Sequence, residues 1–177
     1  MVVVVIGGPI ASGKSTLGRA VAARLHGTND EQGAVIDLDL VYEMLDPERR
    51  PKNDRAIWAE ARRVAGRLAT AFLVAGRPVV VEGDFVGEQS LLEFAAELPN
   101  ELQPRLVLLD VDIAKAVERT SVDPTRGLSK DREFLSAHYV DFAPGWDGRD
   151  VLRLDTGLLN VQEAANAVIA WLDQNNI

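Results

Sequence analysis

The 177-residue sequence predicts an α/β protein built as a three-layer sandwich, with helices on both faces of a five-stranded parallel sheet. Three observations predict this class. Five short apolar runs recur along the chain, longer helical patterns separate them, and a glycine-rich loop joins the first run to the first helix. Parallel strands require crossover connections of this length. The chain is long enough for one domain with a sizeable core, and we expect residues 1–177 to form it.

The predicted strands are short runs of β-branched or leucine-rich sequence. They cover residues 2–6, 34–37, 78–83, 105–111 and 151–155. The predicted helices with the clearest limits begin at Lys14, run from Asn53 or Asp54 to Gly76, and run from Asn160 to Trp171. No linker divides the chain.

The composition restricts the class of partner. A formal net charge of −8 and a pI near 4.8 oppose binding to a long nucleic acid, because that affinity depends on Lys and Arg. We therefore expect a small-molecule ligand, bound by a monomer or a homodimer. The lack of cysteine excludes a disulfide framework and a zinc–thiolate site. The apolar N-terminal run is too short to span a membrane and lacks the features of a signal peptide, so we expect a cytoplasmic protein.

The stretch "GGPIASGKST" at residues 7–16 fits the phosphate-binding pattern G-x-x-x-x-G-K-[ST]. Its glycines allow a tight turn that points backbone N–H groups at one anion. We expect Lys14 on the β- and γ-phosphates of a nucleotide and the Ser15 hydroxyl on Mg²⁺. The predicted nucleotide-binding residues of this loop are Gly8, Pro9, Ile10, Ala11, Ser12, Gly13, Lys14, Ser15 and Thr16. The alternative is a glycine turn with one exposed lysine.

Two carboxylates follow the second predicted strand. Asp37 and Asp39 stand two residues apart, so in extended backbone both side chains point to the same side. Phosphoryl transfer needs one carboxylate for Mg²⁺ and another that takes the proton of the acceptor hydroxyl. We assign Asp37 to the metal shell and Asp39 to the base. The alternative for Asp39 is capping of the helix that follows.

The third predicted strand ends in "VVVEGDF", where Glu82 and Asp84 again stand two residues apart. Glu82 is predicted to belong to the metal site, through a metal-bound water. Asp84 is predicted to face the acceptor pocket or to cap the next helix. Tyr42 and Phe85 are candidate walls of the same pocket.

Two segments rich in charge and proline, residues 45–54 and 120–131, follow the carboxyl ends of strands. Because that edge of an open parallel sheet binds ligands, the first segment is a candidate flap on the acceptor side and the second a candidate lid over the phosphates. Arg119 and Arg126 are predicted to neutralise charge on the β- and γ-phosphates. The alternative is two solvated loops.

The stretches "GPIASGKST", "IDLD", "VVVEGDF", "ERTSVDPTRG" and "LDTGLLNVQEA" together resemble the P-loop small-molecule kinases, the group that includes shikimate kinase, gluconate kinase and chloramphenicol phosphotransferase. The resemblance covers nearly the whole chain. It implies a sheet of order 2-3-1-4-5 like that of the NMP kinases, ATP with Mg²⁺, and an arginine-bearing lid. It also implies that adenine lies between Arg119 and the turn at Thr156 and Gly157, and that Asp39 is the base aspartate.

These observations predict an ATP-dependent phosphotransferase that moves the γ-phosphate to a hydroxyl of a small molecule, such as a sugar acid, polyol, nucleoside or antibiotic. We expect ATP because "PKND" at residues 51–54 has the letters of a guanine-reading motif in the wrong order. Two alternatives stay open. One is a nucleotide-binding switch or accessory ATPase that acts on a protein partner. The other is a kinase for a polynucleotide end or a nucleotide sugar.

Overall fold

The computed structural model describes residues 1–28, 30–48, 54–122, 130–142 and 144–175. They contain a parallel sheet of five strands in the order β2-β3-β1-β4-β5, which confirms the predicted fold class and strand order. The strands are β1 Val3–Gly7, β2 Ala34–Asp37, β3 Val79–Glu82, β4 Arg105–Asp110 and β5 Val151–Asp155. The helices are α1 Lys14–Ala22, α2 Leu38–Leu45, α3 Arg55–Val74, α4 Glu88–Ala95, α5 Ile113–Val122, α6 Arg132–Asp141 and α7 Val161–Gln174.

The central strand β1 is buried along its whole length. It pairs with β3 on one side and β4 on the other, and a strand covered on both faces is expected to be a continuous apolar run. Glu82, at the end of β3, lies opposite Ile6 of β1 and opposite Asp37 of β2. Because all five strands are parallel, their carboxyl ends meet at one edge of the sheet, where such folds bind ligands.

Alternate residues of the strands face two separate cores. Val3 and Val5 face the core formed with α2, α3 and α4, whereas Val4 and Ile6 face the core formed with α1 and α7. Each fully buried side chain of this size stabilises the fold by about 1.5–3 kcal/mol relative to its exposed state. In the described part of the chain, no helix has the length and apolar character needed to cross a membrane.

Side-chain caps start two helices at the predicted positions. Asp54 caps α3 by accepting two backbone hydrogen bonds, of 2.9 and 3.3 Å. Asn160 caps α7 in a capping box that Glu163 completes. The last helix extends to Gln174, beyond the predicted end at Trp171, and Leu172 is the last buried residue on its core face.

Candidate active site

The phosphate-binding loop, residues 8–13, connects β1 to α1 at the ligand-binding edge of the sheet. Gly13 stands at the N-cap of α1 in the left-handed conformation, with φ of 94°, and α1 has no side-chain cap. The first amide groups of α1 are therefore left for a ligand, and the positive end of the helix dipole favours an anion there. The strand–loop–helix context that the motif requires is thus confirmed.

Glycine at position 8 lets the loop turn back closely against β4. A Cβ atom there would stand 2.6 Å from Ser12 Oγ and 2.8 Å from the carbonyl oxygen of Leu109, closer than any normal contact. Ser12 is fully buried, and its backbone N–H donates to the carbonyl of Pro9 at 3.2 Å. The loop is therefore held in one shape by contacts that leave no room for a larger residue at position 8.

The Lys14 ammonium lies among three oxygen acceptors. It donates to the backbone carbonyls of Gly8, at 2.8 Å, and Pro9, at 3.1 Å. It also pairs with the Asp84 carboxylate, with 2.9 Å between Nζ and Oδ1. Asp84 therefore lies beside the lysine of the glycine-rich loop. The alternative expectation that Asp84 caps the next helix is wrong, because α4 has Gly87 at its N-cap.

Ser15, Asp37 and Glu82 form a second polar cluster beside the loop. Glu82 is only 3% exposed, and its carboxyl lies beside the Ser15 hydroxyl and the Asp37 carboxylate. Burial and then the negative charge of Asp37 raise the pKa of Glu82 to about 7, whereas the Ser15 hydrogen bond and the Lys14 charge oppose the shift. Sequence analysis assigned all three residues of this cluster to the metal site, and the fold brings them together.

The chemistry of this cluster suits Mg²⁺, which prefers hard oxygen ligands and keeps several waters or phosphate oxygens in its shell. A hydroxyl and two carboxylates supply such oxygens. Among the described residues, no group of three or more His, Cys, Asp or Glu side chains is placed to hold a metal alone.

The segment after β2 differs from the prediction. The chain turns into α2 at Leu38, so Asp37 and Asp39 do not share extended backbone, and the argument that placed both on one side of a strand is wrong. Asp37 is the N-cap of α2, since its Oδ1 accepts hydrogen bonds from the N–H groups of Asp39, at 2.9 Å, and Leu40, at 3.4 Å. The alternative that Asp39 caps this helix is therefore also wrong, and Asp39 lies exposed on the first turn of α2.

Arg119 joins the phosphate-binding loop to the turn after β5. Its guanidinium donates to the carbonyl of Ala11 at 3.0 Å, to Thr156 Oγ1 at 3.1 Å and to the Thr156 carbonyl at 2.5 Å. The Thr156 hydroxyl in turn donates to the carbonyl of Ser12 at 2.8 Å. The neighbouring Gly157 carbonyl accepts a hydrogen bond from Lys115 at 3.0 Å. The arginine and the final turn, which the family resemblance placed around adenine, are thus in direct contact.

A cavity of about 310 Å³ opens beside this contact, a size typical of small-molecule sites. Its lining combines the loop, the start of α1, Arg119 and the final turn, through residues that include Ala11, Gly13, Thr16, Arg119, Thr156 and Asn160. The cavity therefore adjoins the phosphate-binding loop on the side of β5, where a base and sugar attached to a bound phosphate chain could lie.

Tyr42 and Phe85 are not walls of an open pocket in this structure. Both side chains are fully buried in the core between the sheet and α2, α3 and α4. Tyr42 packs against Trp58, with 4.5 Å between ring centroids, and Phe85 packs edge-on against Phe94 at 5.8 Å. Aromatic side chains bury a large apolar area, so packing in the core stabilises Tyr42 and Phe85 there instead of at the predicted acceptor pocket.

One contact to the loop was missed by sequence analysis. The Tyr139 hydroxyl of α6 donates to the carbonyl of Ile10 at 3.0 Å, and burial raises the pKa of Tyr139 to about 12. No local pattern marks this tyrosine, because the contact depends on how α6 packs after the lid. Outside the described residues lie most of the lid at 120–131, including Arg126, and residues 49–53 of the flap.

The strand order, the phosphate-binding loop and the polar cluster beside it define a P-loop domain. A family model described as an AAA domain matches residues 3–135, most of the chain, and the protein belongs to this family. No curated protein matches the sequence significantly.

The solved structures with the same fold include a sugar kinase, an APS kinase and a gluconokinase. A sugar kinase from Janibacter sp. HTCC2649 is 16% identical with a TM-score of 0.75, over 98% of this chain and 95% of that one. An APS kinase from Mycobacterium tuberculosis is 20% identical with a TM-score of 0.71, over 97% and 98%. A gluconokinase from Sinorhizobium meliloti 1021 is 20% identical with a TM-score of 0.68, over 98% and 94%. At these identities the likeness shows the fold, which is that of the P-loop small-molecule kinases.

Proposed function

We propose that this protein is an ATP-dependent phosphotransferase that moves the γ-phosphate of ATP to a hydroxyl of a small molecule. The observation that carries the proposal is the meeting of Lys14 in the phosphate-binding loop with the cluster of Ser15, Asp37 and Glu82 at one edge of the sheet. Anion-binding amides, a fixed cation and a set of hard oxygen ligands are the parts that phosphoryl transfer uses.

Further support comes from the structural relatives. The APS kinase with this fold was solved with AMPPNP, an ATP analogue, and its second substrate APS, and two others are a sugar kinase and a gluconokinase. We therefore expect the acceptor to be a small hydroxylated compound, such as a sugar acid, polyol, nucleoside or antibiotic. The net charge of −8 opposes a long nucleic acid.

The nucleotide is oriented by two parts of the site. The triphosphate lies on the loop from Gly8 to Thr16, with Lys14 on the β- and γ-phosphates. The adenosine occupies the cavity beside Arg119, with the base against Thr156 and Gly157. Because Arg119 is fixed by hydrogen bonds at this end of the site, we assign it to the nucleoside and leave the phosphates to Lys14 and Arg126.

Ser15, Asp37 and Glu82 would hold Mg²⁺, Glu82 through a bound water. When bound, Mg²⁺ neutralises charge on the β- and γ-phosphates. Asp37 suits this role because its carboxylate already contacts both Glu82 and the first turn of α2. Asp37 therefore lies between Glu82 and the start of α2, beside the phosphate-binding loop.

Asp39 is the base in this mechanism. It is exposed on the first turn of α2, two residues beyond Asp37, on the same edge of the sheet. The acceptor hydroxyl gives its proton to Asp39 while its oxygen forms a bond to the γ-phosphorus. The bond from that phosphorus to the β–γ bridging oxygen breaks, and ADP leaves. The lid at 120–131 and the flap at 45–54 would exclude water, which otherwise competes as the acceptor.

The two aspartates can be separated by matched substitutions. Asp39→Asn should lower kcat by about 10²- to 10⁴-fold with little change in the affinity for ATP. Asp37→Asn should raise the Mg²⁺ concentration needed for activity. Asp173→Asn makes the same change at an exposed site in the last turn of α7 and serves as the control. Transfer is measured as phosphorylated product by mass spectrometry, and an Asp39→Asn enzyme with normal kcat would refute the base assignment.

A further inference from the structure

We propose that Asp84 is a positioning residue that competes with the nucleotide's phosphates for the Lys14 ammonium. The inference rests on the proposed function, because it assigns Lys14 to the phosphates of ATP. The observation is the ion pair of 2.9 Å between Lys14 Nζ and Asp84 Oδ1. The sequence placed Asp84 toward the acceptor, whereas the fold places its carboxylate on the lysine of the phosphate-binding loop.

The count of donors makes the competition necessary. An ammonium has three N–H donors. Lys14 contacts three acceptors, the carbonyl oxygens of Gly8 and Pro9 and the Asp84 carboxylate. A phosphate oxygen can therefore obtain a hydrogen bond from Lys14 only when one of the three withdraws. The two carbonyls belong to the closely packed loop backbone, whereas Asp84 reaches Lys14 through a rotatable side chain. Asp84 is the acceptor that a phosphate displaces.

The backbone around Asp84 keeps its carboxylate near the loop. At the preceding Gly83, a Cβ atom would stand 2.6 Å from the Leu38 Cβ, so the chain leaving β3 packs tightly on the start of α2. The side chains of Lys14 and Asp84 are 12% and 32% exposed, and an ion pair shielded to this degree is screened less by salt than a surface pair. The Asp84 carboxylate competes with the phosphates for Lys14 and also repels them, and both effects weaken nucleotide binding. Asp84 therefore leaves Lys14 as the phosphate arrives.

The test is the affinity for AMPPNP with Mg²⁺, measured by calorimetry without any acceptor. Asp84→Asn should bind the analogue about two- to fivefold more tightly than wild type, the range expected for loss of one partly exposed ion pair. Asp84→Glu retains a carboxylate within reach of Lys14 and should restore affinity toward the wild-type value. In turnover, the same gain should lower the KM for ATP in Asp84→Asn. If Asp84→Asn does not fold, Asp84→Ser makes the same charge change.

Glu88→Gln is the matched control. Glu88 lies on the first turn of α4, pairs with Arg149 at 3.0 Å and has the same charge as Asp84, so its substitution should leave AMPPNP affinity unchanged. Equal or weaker binding by Asp84→Asn would overturn the proposal. A higher KM for the acceptor with unchanged AMPPNP affinity would overturn it too and return Asp84 to the acceptor pocket. If wild type binds no AMPPNP, the proposed function fails as well, whereas equal binding by wild type and variant refutes only the role of Asp84.

Discussion

Glu82 should make the stability of this protein depend on pH, and one substitution should remove the dependence. The residue is 3% exposed and lies beside Asp37, and burial together with that charge raises its pKa to about 7. The native state therefore holds a proton on Glu82 at pH values where the unfolded chain has lost it. Stability from this group is fully present below pH 4.5, the ordinary value, and is lost as the pH rises through 7.

The size of the effect follows from the pKa shift. From 4.5 to about 7, at about 1.36 kcal/mol per pH unit, the free energy of unfolding should fall by at most about 3 kcal/mol across this window. Glu82→Gln replaces the carboxyl with a neutral group of the same shape, which can accept from Ser15 and donate to Asp37. The variant should therefore lie within about 1 kcal/mol of wild type at pH 5 and exceed it by the full difference at pH 8.

Urea unfolding at pH 5, 6, 7 and 8, in EDTA and without nucleotide, measures the difference. Glu97→Gln is the control, because the hydrogen bond from Arg67 lowers the pKa of Glu97 and its loss cannot stabilise the protein at high pH. If Glu82→Gln and wild type have the same pH profile, or if the variant is less stable at pH 8, then burial and the charge of Asp37 do not raise the pKa of Glu82 as described.

Three further predictions concern the loop and the ends of helices. Gly7→Ala should lower the free energy of unfolding, measured in urea, by about 1–3 kcal/mol, because its Cβ would stand 2.7 Å from the Trp146 ring. In the double variant with Trp146→Phe, the loss of stability should be smaller than the sum of the two single losses. Arg119→Lys should weaken AMPPNP binding by roughly tenfold, because lysine cannot reproduce the guanidinium's hydrogen bonds that hold Ala11 of the loop against Thr156 of the final turn; unchanged calorimetric affinity would refute the place of Arg119 at the nucleoside. Asn160→Ala removes the cap of α7 and should cost about 1 kcal/mol in thermal unfolding.

Local features of the chain predicted the fold and the phosphate-binding loop well. The loop follows from a motif of eight residues. The strands are short buried runs, and their β-branched or leucine-rich composition is visible in the sequence. Sequence analysis assigned Asp37 and Glu82 to one metal site, but it did not predict the strand register that sets them opposite each other. The strand order itself was implied by the family resemblance rather than by any strand's own sequence.

Features that depend on competition between contacts were predicted less well. Asp39 lies in a helix rather than in the expected extended backbone, because Asp37 caps α2 by accepting two backbone hydrogen bonds. Burial took Tyr42 and Phe85 into the core. The ion pair from Asp84 to Lys14 joins two segments far apart in sequence, and no local pattern indicates it.

The most direct test of the proposed function is ADP release from Mg·ATP across a panel of sugars, cyclic polyols, nucleosides and hydroxylated antibiotics. Wild type is compared with Lys14→Ala and Asp39→Asn. The account predicts that one class of compound stimulates ADP release and that both substitutions abolish the stimulation. ADP release that is the same with every compound, or that Asp39→Asn leaves unchanged, would contradict it and favour a nucleotide-binding switch that acts on a protein.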